Sequence, residues 1–545
     1  MRSRGLALCS SLLFLSGWLT AQTLTSEEIS KIDAIFADYA KPDSPGCSLG
    51  VYRDGSLAYT HGYGMASLEL SVPITQQTVF DIGSTSKQFT AFSILLLQQQ
   101  GKLSIDDDIR KFIPEMPDYG KRITLRHLMN HTSGLRDYAG LFDLAGVPEQ
   151  NLTNDQDALD LIVRQRAPNF APGEEWDYSN TGFFLLSQVV KRVTGKTLRD
   201  FDQENIFTPL GMTRTQIFND HTQIIPHRAT GYSRNEEKQS FGVEMSNFEQ
   251  TGDGSVQTNV ENLLRWDENF YTGRLGGPDL IRQMQVPGKL NNGKDHGYGG
   301  GLMISRYRGQ PTFRHGGAWA GYRAELLRFP SQHTSVAVLC NVAQAAPSVR
   351  ADRVADVVLA NVLAPVPEKS QKKDQVPVSA DVLQKYVGVY KSEKDAYQRV
   401  ELKDGKLTLA NFGVELIPQS STVFRTNVTE GTITFSENKM VFGLFEDKLE
   451  NYMLIHTTAS HDLSAFVGDY YSLELDATWQ LRIQEGELSA HVKHSDNPAM
   501  MLRPVAEDTF TLEGGSFHFE RKAGKLSRAL LTVDRIRNIE FVRTP

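Results

Sequence analysis

Cysteine is scarce in this sequence of 545 residues, which contains only Cys9, Cys47 and Cys340. None of them stands in a CxxC pair, so the spacing of a zinc finger or of a dithiol redox motif is missing. Long blocks of lysine and arginine are missing too, and the formal net charge is −8. Because nucleic-acid binding calls for a basic surface, we expect no nucleic-acid partner.

Apolar runs of the length of a membrane-spanning helix are also missing. The apolar stretch over residues 6–19 is too short to cross a bilayer comfortably, and it follows the positive charges of Arg2 and Arg4. We interpret residues 1–21 as a signal peptide removed near Ala21, with no transmembrane segment left after removal. The sequence therefore predicts a periplasmic or secreted protein, and an uncleaved N-terminal anchor is the alternative.

Export would leave two cysteines in the mature chain. Cys47 lies in GCSLGVY and Cys340 lies in SVAVLCNV, and both runs are typical of β-strands. Two buried free thiols are one interpretation of this pattern. A disulfide between Cys47 and Cys340 is the other, since an exported protein folds in an oxidising compartment. The sequence leaves this choice open.

Helical and strand patterns alternate over residues 26–363, which predicts one α/β (α+β) domain. Two β-rich runs meet at Asp54-Gly55 in a hairpin, and a helix with one apolar face covers residues 181–195. Three strand-like runs and a helix over residues 349–363 close this part of the chain.

The composition changes after this domain. Residues 364–377 contain three prolines, several charges and few large apolar residues, which is typical of a linker. Beyond it, a weak internal repeat occurs: YVGVY matches FVGDY, and GTITF matches GSFHF. Two copies of about 80 residues predict two small β-barrels, over residues 378–460 and 461–545.

The first candidate for chemistry is Ser84, in the segment DIGSTSKQFT. Ser84 and Lys87 form a Ser-x-x-Lys pattern at the start of a predicted helix, where residues three apart share a face. Lys87 could then reach the Ser84 hydroxyl as a base or charge partner, and the helix dipole would favour a developing anion. Alone the pattern is weak, because serine and threonine are common helix caps.

Two further motifs lie later in the chain. Tyr178 and Asn180 stand in DYSN before a helix, where a tyrosine can accept a proton and an asparagine can bind a substrate amide. The alternative is that Asn180 caps the helix and Tyr178 packs. His315 and Gly317 lie in FRHGGAWAGY, and glycines on an edge strand let another backbone approach closely. The alternative there is a glycine-rich turn.

Two other patterns are weaker. His127 and His131 are four residues apart, as in zinc-binding helices, but HLMNH lacks the glutamate of HExxH, so we do not expect a metal site. GYGGGL, over residues 297–302, is not the GxGxxG of a nucleotide-binding turn, so we do not expect a nucleotide site either.

The order and spacing of the three motifs resemble the serine β-lactamase and penicillin-binding-protein superfamily. The resemblance is to the branch of class C β-lactamases, esterases and D-amino-acid peptidases. It covers roughly residues 30–363 and extends to LRHLMNHTSGL, PGEEWDYSNTGFFLLSQVV and GDGSVQTNVENLLRW. It implies a β-lactamase/transpeptidase-like catalytic domain with an antiparallel sheet flanked by helices. The two C-terminal antiparallel barrels, lipocalin-like in outline, resemble the layout of three-domain bacterial D-aminopeptidases.

The resemblance also implies chemical roles. Ser84 would be the acylated nucleophile, with Lys87 as its partner. Tyr178 would be the general base and later the general acid. The backbone N–H groups of Ser84 and Ala318 would form the oxyanion hole. No metal or organic cofactor is implied.

Three residues would bind the substrate: Asn180, His315 and Gly317. His315 stands where many relatives carry the lysine of a Lys-Thr-Gly motif. A neutral histidine attracts a carboxylate less strongly than a lysine does. We therefore expect weakened recognition of a substrate carboxylate, and acceptance of esters, amides or peptides that lack one.

The expected function is that of an exported serine hydrolase, acting by two-step acyl transfer on D-amino-acid-containing peptides or amides. Carboxylesterase or weak β-lactamase activity is the alternative within the family. A slowly deacylating penicillin-binding sensor, or a cell-wall-binding protein, is the alternative of another class. The partner would be a small-molecule or short-peptide substrate, and the sequence leaves a homo-oligomer open.

Overall fold

The computed structural model describes residues 24–544 except 149, 236, 366–375, 394–395, 411–412, 427–430, 446–447, 456–461 and 513. The predicted signal peptide and residues 366–375 of the predicted linker lie outside the described residues. None of the helices in the described part of the chain is long and apolar enough to cross a membrane.

The domain that is predicted to be catalytic is built around an antiparallel sheet. Its strands are numbered along the chain: β1 (Cys47–Arg53), β2 (Ser56–Tyr63), β3 (Met65–Ser67), β4 (Val72–Pro73), β5 (Phe80–Asp81), β6 (Gln216–Ile217), β7 (Tyr232–Asn235), β8 (Ser240–Val243), β9 (Val256–Thr258), β10 (Tyr298–Gly299), β11 (Leu302–Tyr307), β12 (Gln310–Trp319), β13 (Tyr322–Phe329) and β14 (Thr334–Cys340). The central sheet has the order β10-β11-β12-β13-β14-β1-β2 with antiparallel neighbours. At the predicted hairpin, Asp54 and Gly55 have the positive φ of a two-residue turn, 51° and 71°.

Helices cover both faces of this sheet. They are α1 (Ser26–Ile35), α2 (Lys87–Gln99), α3 (Leu125–Met129), α4 (Tyr138–Leu144), α5 (Asp155–Val163), α6 (Asn180–Thr194), α7 (Leu198–Asp202), α8 (Thr208–Leu210), α9 (Val260–Thr272), α10 (Gly277–Met284) and α11 (Pro347–Val358). On one face, α1 and α11 bury Ile32 and Val354 against Val336 of the sheet. On the other, α2 is buried from Lys87 to Leu97, because its sequence FTAFSILLL is apolar all round.

Two closed barrels follow the short helix α12 (Ala380–Gln384). The first contains β15 (Gly388–Ser392), β16 (Tyr397–Lys403), β17 (Lys406–Leu409), β18 (Val414–Pro418), β19 (Val423–Thr426), β20 (Thr432–Ser436), β21 (Lys439–Phe445) and β22 (Lys448–Ile455). The second contains β23 (Gly468–Ser472), β24 (Ala477–Gln484), β25 (Glu487–Val492), β26 (Met500–Ala506), β27 (Thr509–Leu512), β28 (Gly515–Lys522), β29 (Lys525–Val533) and β30 (Ile536–Arg543). In each barrel the last strand pairs antiparallel with the first, which closes the barrel. The predicted fold class is confirmed, while the predicted domain boundaries stay predictions.

The second barrel shares a hydrophobic core with the catalytic domain, whereas the first barrel has a core of its own. A Cβ atom added to Gly140 in α4 would lie 2.9 Å from the Cδ1 atom of Ile536, so the small residue lets the two parts approach. Nearby, the Trp479 indole N–H donates to the Leu144 carbonyl at 3.0 Å. The second barrel is therefore packed directly on the domain that carries the predicted site.

Cys47 and Cys340 lie opposite each other on β1 and β14, and the structure joins them in a disulfide. We expect a non-reducing proteolytic digest of the purified protein to contain one peptide pair linked through these residues, because their side chains meet inside the sheet. Reduction should separate the pair, and the Cys47→Ser variant should lack it. Recovery of both peptides with free thiols from the unreduced protein would contradict this prediction.

Candidate functional site

Ser84 lies where the chain enters the central helix. A short 3₁₀ helix, Gly83–Ser86, follows β5 and runs directly into α2. Side chains three residues apart eclipse one another in a 3₁₀ turn, so Lys87 comes to lie beside Ser84. The Lys87 Nζ atom is 3.0 Å from the Ser84 Oγ atom. Ser84 is partly exposed, whereas Lys87 is fully buried, so a ligand can reach the hydroxyl but not the amine beneath it.

Three acceptors surround the Lys87 side chain. Besides Ser84, it donates to Oδ1 of Asn180 at 2.9 Å and to the carbonyl oxygen of Asp253 at 2.6 Å. An ammonium has three N–H donors, so these contacts satisfy it and fix its position. Burial raises the pKa of the Asp253 carboxyl to about 6, and the charge of Lys87 opposes that rise.

Tyr178 and Asn180 reach the same point from the start of α6. Ser179 is the N-cap residue and Asn180 is the first helical residue, so Asn180 turns its side chain to Lys87 and does not cap. Lys87 Nζ lies 5.0 Å from the centroid of the Tyr178 ring. The Tyr178 hydroxyl is buried with no hydrogen-bond partner in the described part of the chain. Because buried hydroxyls are normally hydrogen-bonded, this oxygen is available to a bound substrate or to water.

Strand β12 runs past the serine turn at very short range. A Cβ atom on Gly317 would lie 1.9 Å from the Ile82 carbonyl oxygen and 3.2 Å from the backbone nitrogen of Ser84. A Cβ atom on Gly83, whose φ is +48°, would lie 2.7 Å from the nitrogen of Ala318. Both positions therefore require glycine. The backbone nitrogens of Ser84 and Ala318 both border this close contact between the strand and the serine turn.

His315 lies in the same strand but is buried and carries no charge near neutral pH. Burial lowers its pKa to about 3, and the neighbouring charge of Lys87 lowers it further. Its Nδ1 atom is 2.6 Å from the Gly316 carbonyl oxygen and its Nε2 atom is 2.9 Å from the Tyr298 hydroxyl. These partners assign the proton to Nδ1 and the acceptor role to Nε2. Thr85 ties the strand to the serine turn by donating to the His315 carbonyl at 3.0 Å.

His131 is a residue of this site that the sequence motifs did not assign. Its ring lies 4.1 Å, centroid to centroid, from that of Tyr178, and its Nδ1 atom lies 3.1 Å from the carbonyl oxygen and 3.2 Å from the backbone nitrogen of Ser179. Burial lowers its pKa well below the usual range, and the charge of Lys87 lowers it further. His131 is therefore a neutral support beneath Tyr178. The loop sequence HTSGL was the available signal for it.

The glycine-rich segment GYGGGL has a packing role that its sequence did not show. Tyr298 is the residue that donates to His315. A Cβ atom on Gly301, whose φ is +74°, would lie 2.6 Å from the carbonyl carbon of Lys87. These glycines let β10 and β11 approach the backbone of the central helix.

A side chain of the second barrel also enters the site. Arg535, in the turn between β29 and β30, has its Cζ atom 5.6 Å from the Tyr178 ring centroid. Its Nη1 atom is 3.4 Å from Oδ2 of Asp137, which accepts the N–H of Asn180 at 2.6 Å. Burial alone would lower the pKa of Arg535, but Asp137 and Asp534 outweigh burial and raise it, so the guanidinium stays charged.

A buried ion pair fastens the second barrel beside this turn. Nη1 of Arg136 is 2.5 Å from Oε1 of Glu474, and the two side chains are only 2% and 4% exposed. Arg136 also donates to the carbonyl oxygens of Arg537 and Asn538 on the barrel. Arg136 thus holds the second barrel in place, and the next residue, Asp137, contacts Arg535 of that barrel.

We expect Arg136→Met to reduce the free energy of unfolding by about 3 kcal/mol, because Glu474 would stay buried without its cation. Urea unfolding followed by tryptophan fluorescence measures this loss. The double variant Arg136→Met/Glu474→Gln should recover part of it, since the unpaired charge is gone. If the single variant unfolds at the wild-type midpoint, this pair does not fasten the barrel.

A helix-flanked antiparallel sheet, with a serine and a lysine at the start of its central helix, is typical of serine hydrolases of the β-lactamase type. The family described as Beta-lactamase matches residues 32–361 of this chain. The chain belongs to this family and is a serine hydrolase.

Individual relatives agree with this assignment. "Penicillin-binding protein 4*" of Bacillus subtilis (strain 168) is 30% identical over 418 residues, 73% of this chain and 92% of the relative. "D-aminopeptidase" of Gluconobacter oxydans (strain 621H) is 30% identical over 495 residues, 88% of this chain and 90% of the relative. The structure of an octameric penicillin-binding protein homologue from Pyrococcus abyssi matches with a TM-score of 0.57 at 24% identity, over 78% of this chain and 99% of its own. This last match shows a common fold.

Proposed function

We propose that this hydrolase cleaves D-amino-acid-containing peptides or amides through an acyl-enzyme on Ser84. The observation that carries the proposal is the 3.0 Å contact between Lys87 Nζ and Ser84 Oγ, with Asn180 and Asp253 holding the lysine in place. A fixed cation at this distance stabilises negative charge that develops on the serine oxygen. The named D-aminopeptidase relative supports the D-amino-acid substrate class.

In the acylation step, Tyr178 acts as the deprotonated phenolate: its oxygen takes the proton of the Ser84 hydroxyl as Oγ attacks the substrate carbonyl carbon. The carbonyl oxygen becomes an oxyanion, which the N–H groups of Ser84 and Ala318 stabilise. Tyr178 then returns its proton to the leaving nitrogen, the C–N bond breaks and the amine departs. The acyl group stays on Ser84 as an ester.

In the deacylation step, a water molecule takes the place of the departed amine. Tyr178 accepts a proton from the water as its oxygen attacks the ester carbonyl, and the same two N–H groups stabilise the second oxyanion. The acyl group leaves as a carboxylic acid, and Tyr178 passes the proton that it took from water to Ser84 Oγ. The free enzyme is restored without any external group.

Asn180 orients the substrate in this scheme. Its Oδ1 atom accepts from Lys87, so its Nδ2 group is the end that remains for a ligand. An amide nitrogen is a donor, and the matching group on a substrate is a carbonyl oxygen of the acyl side. A substrate with an amide next to the scissile bond satisfies this donor, and a simple acetyl ester does not.

A panel of D- and L-aminoacyl p-nitroanilides, each with a free and with an N-acetylated amine, a short-chain ester and a cephalosporin tests the substrate class. We expect sustained turnover of the D-anilides at a kcat/KM about tenfold or more above that of the L-anilides. Turnover of the ester alone would place the enzyme with carboxylesterases. A stoichiometric burst followed by no turnover would favour a slowly deacylating penicillin-binding protein, an alternative that the Bacillus subtilis relative supports by name.

We also propose that the chain is exported and cut near Ala21, on the grounds of the N-terminal sequence. Expression of the full chain with a C-terminal tag in a bacterial host, followed by intact-mass measurement, tests this. A mature protein that begins near residue 22 supports export. A protein that retains residues 1–21 in a membrane fraction supports the uncleaved anchor.

A further inference from the structure

We infer that Arg535 of the second barrel binds a carboxylate on the leaving group, so that the preferred substrates release a fragment with a free acidic end. This inference rests on the proposed acyl transfer at Ser84. It makes Arg535 a specificity-determining residue of the site and narrows the substrate class to peptides cleaved before a C-terminal amino acid.

The position of Arg535 leads to this assignment. In the proposed mechanism Tyr178 returns a proton to the leaving nitrogen, so the leaving group lies against Tyr178. In a released α-amino acid, one carbon separates that nitrogen from the carboxylate. The Arg535 guanidinium carbon is 5.6 Å from the Tyr178 ring centroid, on the ring face, and is thus within reach of such a carboxylate.

The guanidinium also has donors to spare. Its Nε atom donates to Asp534 at 2.9 Å, but the Asp534 side chain is 75% exposed and competes with water. Its contact with Asp137 is long, at 3.4 Å, and Asp137 already accepts the Asn180 N–H. Among the described residues, Nη2 of Arg535 has no hydrogen-bond partner. The Nη2 group can therefore donate a charge-assisted hydrogen bond to a carboxylate.

Neighbouring cations are committed elsewhere. Lys87 is buried and donates to three protein oxygens. Arg537, on the same barrel edge, lies 3.3 Å from both oxygens of Glu175. Arg314 is held between Glu325 and Asp352 at 2.8 and 2.9 Å. His315 is neutral. Of these described cations, Arg535 is the one that lies over the Tyr178 ring and has N–H groups left for a ligand.

The inference reverses an expectation drawn from His315 alone. A neutral histidine on β12 predicts substrates without a carboxylate, whereas a charged arginine on the barrel predicts substrates that have one. The positive charge that binds the carboxylate would lie on Arg535 of the second barrel and not at position 315 of the central sheet. A free C-terminal carboxylate would then be preferred.

Two acetate esters with the same acyl group separate this inference from the D-peptide proposal. One has 3-hydroxybenzoate as leaving group and the other has 3-hydroxybenzamide, so they differ in one negative charge. We expect wild-type kcat/KM to be about tenfold higher for the acid than for the amide. Arg535→Ala should bring that ratio near one, because kcat/KM falls for the acid ester and stays unchanged for the amide ester. Arg535→Lys should keep part of the ratio.

Arg528→Ala is the matched control. Arg528 is an exposed arginine of β29 in the same barrel, paired with Glu520 and Glu540, and its loss should leave the ratio unchanged. Thermal shifts give the same comparison without turnover: 3-hydroxybenzoate should raise the Tm of the wild type more than 3-hydroxybenzamide does, and Arg535→Ala should remove this difference. A wild-type ratio near one, or an Arg535→Ala variant that keeps the wild-type ratio, overturns the inference. If the ratio depends on Arg535 but no D-anilide is cleaved, the D-amino-acid proposal fails, while the assignment of Arg535 as a carboxylate-binding residue remains supported.

Discussion

Replacing Ser84 by alanine is expected to lower kcat by about 10⁴- to 10⁶-fold on every substrate that the wild type cleaves. The reason is chemical: among the described residues, Ser84 supplies the hydroxyl that lies 3.0 Å from Lys87 Nζ, and without it no acyl-enzyme forms. The measurement is steady-state turnover of the best substrate from the panel. Mass spectrometry after rapid quenching adds a direct readout, because only the wild type should gain the mass of the acyl group.

Ser86→Ala provides the control within the same segment. Ser86 is equally close to the helix start, but its Oγ atom accepts the Val256 N–H at 3.1 Å, whereas Lys87 donates to Ser84. Its loss should cost about 1 kcal/mol of stability and change kcat by less than about threefold. A Ser84→Ala variant with full activity, or a Ser86→Ala variant that loses acylation, would show that the nucleophile has been assigned wrongly.

The sequence predicts the central part of this site because its parts are local. Ser84 and Lys87 are three residues apart, and Tyr178 and Asn180 are two apart, so each pair is placed by one helix start. The glycine of His-Gly-Gly predicts a close approach to another backbone, and the structure brings it to Ile82. The repeat of short strands predicts two barrels, and both close.

The sequence does not predict the residues that arrive from distant elements. Arg535 contacts Asp137 across 398 residues, and nothing in VDRIRN marks it as part of an active site. Its place depends on how the second barrel docks, which in turn depends on Arg136 and on the small residue Gly140. The contact of His131 with Tyr178 exists only in the folded chain, so the pattern HLMNH does not predict it.

These distant contacts make the second barrel part of the site. Asp137 accepts from the backbone of Asn180, which holds Lys87, and it also contacts Arg535. A shift of the barrel would therefore act on both the leaving-group side of Tyr178 and the start of α6. The first barrel has its own core and makes no such link among the described residues.

Replacing Tyr178 by phenylalanine is expected to lower kcat by about 10³-fold while leaving the stability of the protein unchanged or slightly higher. The rate falls because the ring stays but the proton acceptor is lost. Stability holds because the hydroxyl has no partner among the described residues, while the contacts of the ring with His131 and Lys87 persist. Steady-state kinetics and the Tm of the same preparation measure the two effects together.

Tyr298→Phe should show the opposite pattern and serves as the matched control. The Tyr298 hydroxyl donates to the buried Nε2 atom of His315, so its removal leaves that nitrogen unpaired and should cost about 1–3 kcal/mol of stability. Its effect on kcat should be much smaller than that of Tyr178→Phe, because the Tyr298 hydroxyl is engaged by His315 and has no role in the proposed proton transfers. If Tyr178→Phe keeps kcat within about threefold of wild type, Lys87 takes the serine proton and the role assigned to Tyr178 is wrong.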